Sequence, residues 1–305
     1  MRLLHLAVVS VVIASSGAAV GYLAVTHDQE RSGHEAVARI RSLPEPARAY
    51  RYERLTAPAR TVVRDDRGAI VATFTDGART AVLIGPARTF AEPARPRAVA
   101  TTPSWVRLLP QPWQRDLDKQ DWFRPWLDRA LADRSDDVLA VAAQYLEGAV
   151  SATDGKAVRF RGDAAFGKGD FTDYLGVNWT FPDGTTATPA PDQYGTVDPA
   201  GFVRLVYGYR LGYPLRGSSG PGLPRSLKEM ASLGTAVAPE RLVLQPGDLL
   251  FFGVSVRGQG EADLVGIFTG LDRAGRPSLI ASRKKTAGPA LTDDTGLVLR
   301  AARRL

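Results

Sequence analysis

Residues 194–215 read YGTVDPAGFVRLVYGYRLGYPL, and the fold turns on how they are read. A loop ends at Val197. Asp198 is a natural N-cap, Pro199 suits the first helical position, and an apolar-periodic run follows through Phe202, Val203, Val206, Tyr207 and Tyr209 to Gly212. The pattern predicts a helix over 199–211. Enzymes often hold a nucleophile at such an entrance, because the unpaired N–H groups there favour an anion. Here the entrance holds Pro199 and Ala200, and neither side chain can attack a substrate.

Downstream, four apolar runs read as strands: GDLLFFGVSV (247–256), ADLVGIFTGLD (262–272), PSLIASRK (277–284) and GLVLRAARR (296–304). A helix followed by an antiparallel meander predicts the α+β class. Upstream, RTVVRD (60–65), AIVATFTD (69–76) and TAVLIG (80–85) alternate in period two and are joined by DDRG and DGAR, which predicts a β-meander. Residues 86–104 read as a Pro- and Ala-rich connector. Four of the five tryptophans fall between Trp105 and Trp126. Such a cluster is expected as the core of a small subdomain, although indoles also stack on sugar rings or line grooves. Asp121 is the expected cap of a helix through Ala132. Ser135 with Asp136 and Asp137 opens a second helix, SDDVLAVAAQYLEG, with Gly148 as its stop.

The chain contains no cysteine, and its three histidines are His5, His27 and His34. Residues 35–305 therefore lack both thiol and imidazole, which removes disulfides, Ser-His-Asp and Cys-His catalysis, and most zinc sites. No metal and no cofactor is expected. Net charge is +7, carried almost wholly by arginine. The basic residues are interleaved with acids, which reads as a solvated surface, and no nucleic-acid partner is expected.

Residues 3–25, LLHLAVVSVVIASSGAAVGYLAV, form an apolar stretch between Arg2 and a charged segment. At helical rise it would cover about 34 Å, enough to cross a bilayer core. The expectation is a signal anchor over 1–27, in a single-pass membrane protein whose C-terminal part is extracytoplasmic. Cleavage near ASSGAA would instead give a secreted protein. Residues 28–58, charged and broken by Pro44, Pro46 and Pro58, read as a stalk. A small β- and Trp-rich region follows over 59–133, and a C-terminal domain over 134–305.

Four motifs in the C-terminal half, in order, resemble the NlpC-type family of papain-like cell-wall cysteine peptidases. Asp198-Pro199-Ala200-Gly201 stands where the family has Asp-Cys-Ser-Gly before an apolar helix. Leu223-Pro224-Arg225 matches a Leu-Pro-Arg segment. Pro246-Gly247-Asp248 leads into Leu249-Leu250-Phe251-Phe252, as the family's Pro-Gly-Asp turn leads into a strand. Leu264-Val265-Gly266-Ile267-Phe268 stands where the family has His-Val-Gly-Ile-Tyr. The resemblance implies a papain-like fold, with a helix packed on an antiparallel sheet. It also implies an ancestry in the cutting of peptidoglycan stem peptides. All three catalytic places are vacated: Pro199 for the nucleophile, Leu264 for the base, and Ile280 to Ala281 for the residue that orients the base.

The expectation is thus an exported, inactive peptidase homologue that binds peptidoglycan stem peptides or a cell-wall hydrolase. The expected ligand cleft comprises Tyr194, Asp198, Arg225, Asp263 and Arg283, with Lys284 beside it. Alternatives are an active hydrolase using other groups and a purely structural envelope protein. Asp198, Asp263 and Glu261 would be the carboxylates of such a hydrolase. The loop RGSSGPG (216–222), with Ser218 and Ser219, lacks the glycine spacing and lysine of a phosphate-binding loop and reads as a surface loop.

Overall fold

The computed structural model of the protein describes residues 49–238, 243–253, 263–272 and 275–305. The expected anchor lies outside these residues, and no helix among the described residues is long and apolar enough to cross a membrane.

Five antiparallel strands, paired in chain order, open the described chain: β1 (Arg51–Thr56), β2 (Ala59–Arg64), β3 (Ile70–Thr75), β4 (Thr80–Glu92) and β5 (Arg95–Leu108). The predicted runs at 60–65, 69–76 and 80–85 coincide with β2, β3 and the start of β4. Between β2 and β3 the Asp65 carboxylate accepts the N–H groups of Arg67 and Ala69 at 3.0 and 2.8 Å, and Gly68 takes a φ of 81° that a side chain would resist.

β1 falls inside the expected stalk. It is an edge strand of mostly charged and half-buried residues, tied to β2 and the next turn by the Arg64–Glu53 pair at 2.8 Å and by Arg54–Asp76, so it carries little apolar alternation. The expected connector at 86–104 is instead most of a long β4–β5 hairpin. Its register shifts once between Ile84 and Arg88 and again at Ala91/Glu92. Pro86 and Pro103 sit on the two sides of the first shift and Pro96 sits in the second, where no ladder N–H is required.

One face of this sheet, with Val63, Ala72, Phe74, Ala81, Leu83 and Trp105, is buried against Trp113, Leu117 and the first helix, α1 (Phe123–Ala132). Trp113 stacks on Phe74 at 4.5 Å between ring centroids. Asp121 does not cap α1: Trp122 holds the N-cap position without a side-chain hydrogen bond. The next helix, α2 (Val138–Ala143), is shorter than predicted, and of Ser135, Asp136 and Asp137 it is Asp137 that holds the N-cap. Asp137 accepts the N–H of Ala140 at 3.0 Å. It also accepts the N–H of Val106 at 2.6 Å and pairs with Arg88, so the cap anchors the helix to β5.

Short elements follow. β6 (Ala152–Thr153) pairs with β7 (Arg159–Arg161), and β8 (Ala165–Phe166) pairs in parallel with β11 (Thr196–Val197). Between them lie α3 (Phe171–Leu175) and the β9 (Trp179–Thr180) and β10 (Thr186–Ala187) pair. The predicted helix at 199–211 is α4 (Pro199–Val203), continued by a π-helical stretch Arg204–Arg210. A four-residue helix, α5 (Leu227–Met230), precedes the second sheet.

The second sheet contains β12 (Thr235–Val237), β13 (Leu249–Gly253), β14 (Leu264–Leu271), β15 (Pro277–Arg283), β16 (Gly288–Asp293) and β17 (Val298–Arg304). Its antiparallel order is β12-β17-β13-β14-β15-β16. The four predicted strands are β13, β14, β15 and β17. β16 was not predicted; its Pro289 is tolerated because the strand lies at the sheet edge. α4 packs against β14 and β15. Leu249, Phe251, Val265, Ile267 and Ile280 form that face with Ala200, Phe202, Val203 and α2. Leu250, Phe252, Leu264, Phe268, Leu279 and Ala281 form the opposite face with Val237 and Leu244.

The two sheets are joined at Leu305, whose carbonyl accepts the N–H and the hydroxyl of Thr80 at 2.6 and 2.8 Å. Tyr50–Leu305 form one compact unit of mixed, mostly β, α+β architecture.

Candidate functional site

The entrance of α4 is built from two carboxylates and two guanidiniums. The Asp198 Oδ1 accepts the N–H of Gly201 at 2.6 Å and caps the helix. Arg225 forks onto the same carboxylate, Nη1 to Oδ1 at 3.0 Å and Nη2 to Oδ2 at 2.6 Å, and Nη2 also donates to the Lys168 carbonyl at 3.0 Å. Beside this pair, Arg204 lies within the first helical turns with 1% exposure and directs Nε to both oxygens of Asp170 at 3.0 Å. Its Nη1 donates to the carbonyls of Arg216 (3.0 Å) and Leu223. Arg225 Nε stands 3.7 Å from Asp170 Oδ2, which closes the set. The Leu-Pro-Arg segment therefore supplies an acceptor and a cation to a neutral, self-satisfied cluster.

Asp170 escaped the sequence reading, although GDFTDYL carries the signal. Asp170 is the N-cap of α3 and Asp173, three residues on, reaches back to the Asp170 N–H at 2.6 Å, a reciprocal capping box. Gly201 lets α4 approach this cap. A Cβ there would lie 2.5 Å from the Gly169 carbonyl oxygen and 2.9 Å from the Asp170 Cα. Gly201→Ala should cost about 1–3 kcal/mol through overpacking of two backbones. Urea unfolding would check this, and a cost near zero would mean that the two caps are not in contact.

Of the expected cleft, Asp198 and Arg225 are brought together, but on each other. Burial raises the Asp198 carboxyl above the ordinary range, while the charge and hydrogen bonds of Arg225 oppose it. Arg225 takes one site on each oxygen and the Gly201 N–H a second on Oδ1, so three of the roughly four acceptor sites of the carboxylate are filled from within the chain. Pro199, Ala200, Leu264 and Ala281 are buried. Leu264 and Ala281 are not brought to Pro199. Strand alternation turns them to the far face of the sheet, whereas Val265, Ile280 and Ser282 face α4. Ser282 Oγ donates to the Val197 carbonyl at 2.8 Å, one residue before the helix cap.

The other expected residues lie apart from this cluster's contacts. Arg283 donates to Thr292 Oγ1 at 2.9 Å across the β15–β16 pair. Lys284 is exposed on the following turn, and Asp263 is exposed with its N–H on the Phe252 carbonyl at 3.0 Å. Glu261 lies outside the described residues. Tyr194, 59% exposed, edges a separate cleft of about 370 Å³ lined by Arg159, Asp163 and Thr286.

The serine loop is closed to phosphate. Asp183 occupies it, accepting the N–H groups of Ser218 and Ser219 at 2.8 and 2.9 Å. Hydrogen bonds from the Thr185 hydroxyl and the Ser219 N–H hold the Asp183 carboxyl well below the usual range. Among the described residues, no group of three or more histidines, cysteines or acids is placed to hold a metal. No protein-family model and no curated protein matches the chain.

Proposed function

We propose that this chain is a catalytically silent relative of the NlpC-type cell-wall peptidases, with a papain-like arrangement of α4 on the second sheet. In this reading it is an exported envelope protein that binds peptidoglycan or a wall hydrolase without cutting the wall. The observation that carries the reading is the α4 entrance. Where the family would hold a thiol there is buried Pro199, capped by an Asp198 that Arg225 occupies on both oxygens. The absence of Cys and His from residues 35–305 supports the same conclusion. A carboxylate mechanism at Asp198 would first have to break the Arg225 fork.

Arg225 is also a member of the expected stem-peptide cleft, where its guanidinium would take a peptide carboxylate. A peptide would have to displace Asp198 from it, so wall contact falls to another surface. The test is co-sedimentation of the purified full-length chain with purified peptidoglycan. Pelleting with the wall is the expected result. A chain that stays in the supernatant would remove the wall-binding reading and leave a structural or hydrolase-binding role.

A further inference from the structure

The tryptophan cluster divides into two pairs. Trp105 and Trp113 are buried. Trp122 and Trp126, four residues apart on one side of α1, are half-buried and line clefts. A cleft of about 460 Å³ runs over Arg107, Leu108 and Asp133, and one of about 550 Å³ runs over Gln111, Gln120 and Trp122. Both are lined by Trp126 and Arg129, so the two clefts adjoin at these side chains and are treated together as one groove, each within the size range of small-ligand sites.

The groove is rigid on its apolar side and unspent on its polar side. Trp126 stacks on Phe123 at 6.3 Å and meets Phe74 edge-on at 6.0 Å, so the sheet core fixes its ring. Trp122 stands edge-on to Phe123 at 5.8 Å, and its N–H is taken by Gln120 Oε1. The Trp126 indole N–H, the Arg129 guanidinium and the Gln120 side-chain amide N–H₂ bond to no described residue. Gln111 donates weakly to Gln120 Oε1 at 3.5 Å, which leaves its own carbonyl oxygen open. Arg107 is neutralised by Asp133 at 3.3 Å. The rim thus offers both donors and acceptors with one unpaired cation.

We propose that this groove binds a neutral saccharide, with successive pyranose rings laid on the Trp122 and Trp126 faces and their hydroxyls met by Arg129, Gln111 and Gln120. A pyranose presents an apolar C–H face and an edge of groups that both donate and accept, which matches an indole platform with a mixed rim. A proline-rich peptide would offer mainly carbonyl acceptors and leave the Gln111 oxygen unmet. A polyanion would meet only one free cation. The inference rests on the wall reading only for the choice of probe, an N-acetylhexosamine tetramer.

The probe is titrated into the purified full-length chain, and binding is followed by tryptophan fluorescence and calorimetry. Saturable binding is expected, with Kd of roughly 10 μM to 1 mM. Trp126→Phe keeps an aromatic ring in the core but removes the N–H and part of the platform, and Arg129→Ala alters an exposed residue. Each should weaken binding about tenfold or more, with unchanged circular dichroism. No saturable change at about 10 mM tetramer, unchanged affinity in both variants, or tighter binding of a proline-rich decapeptide would overturn the proposal. Tetramer binding without wall pelleting would remove the wall reading and keep the saccharide site. Wall pelleting without tetramer binding would do the reverse.

Discussion

Asp248→Ala is expected to destabilise the fold by about 3–5 kcal/mol, the cost of stranding a charge in the interior. Asp248 and Arg304 are each 1% exposed. Arg304 sends Nε and Nη2 to the two Asp248 oxygens, both at 2.7 Å, and Nη1 to Thr75 Oγ1 at 2.7 Å on β3. The same carboxylate accepts the Gln245 N–H at 2.8 Å and so shapes the turn into β13. Alanine would leave the guanidinium buried with no counter-charge and would loosen the joint between the two sheets. In thermal unfolding, Tm should fall by on the order of 10 °C. Asp248→Leu with Arg304→Met removes both charges at similar volume and should recover most of the loss. A loss below about 1 kcal/mol for Asp248→Ala would contradict the buried pairing.

Asp170→Ala should cost a similar amount, about 3–5 kcal/mol, for a related reason. It strands Arg204, which is 1% exposed, and it deletes the cap of α3. Arg225→Ala is the informative contrast. Arg225 is 39% exposed, so its loss should cost only about 1 kcal/mol even though it also touches Asp198 and Asp170. Guanidinium unfolding of the two variants side by side would check this. Equal costs would mean that Arg225, not Arg204, is the interior cation, and that the α4 entrance is organised differently.

Much of the α+β order was legible in the sequence, because period-two runs at 60–85 and 247–304 and the Asp-Pro helix start are local signals. The β4–β5 hairpin was not, because Pro86, Pro96 and Pro103 look like breaks unless the register shifts that absorb them are known. Edge strands β1 and β16 were hidden by charge and by Pro289, since an edge needs no apolar alternation.

The motifs located Asp198 and Arg225 at the α4 entrance and Asp248 at the joint of the two sheets, but not their duties. What Asp248 does is decided by Arg304, 56 residues away, and what Arg225 does is decided by an Asp198 27 residues before it. Such pairings belong to the fold and leave no spacing rule behind. The places expected to have held catalytic groups illustrate the same limit. Motif order places Leu264 and Ala281 beside Pro199, whereas strand parity turns them to the other face and gives the helix side to Val265 and Ser282.

The central claim, that the α4 entrance carries no chemistry, is tested most directly by turnover. Purified full-length chain is incubated with purified peptidoglycan, and released stem-peptide fragments are measured by mass spectrometry, with an Asp198→Asn, Arg225→Met variant alongside. No fragments above the enzyme-free control are expected from either protein. Fragments released by the parent chain and absent with the variant would place a working site at Asp198 and contradict it.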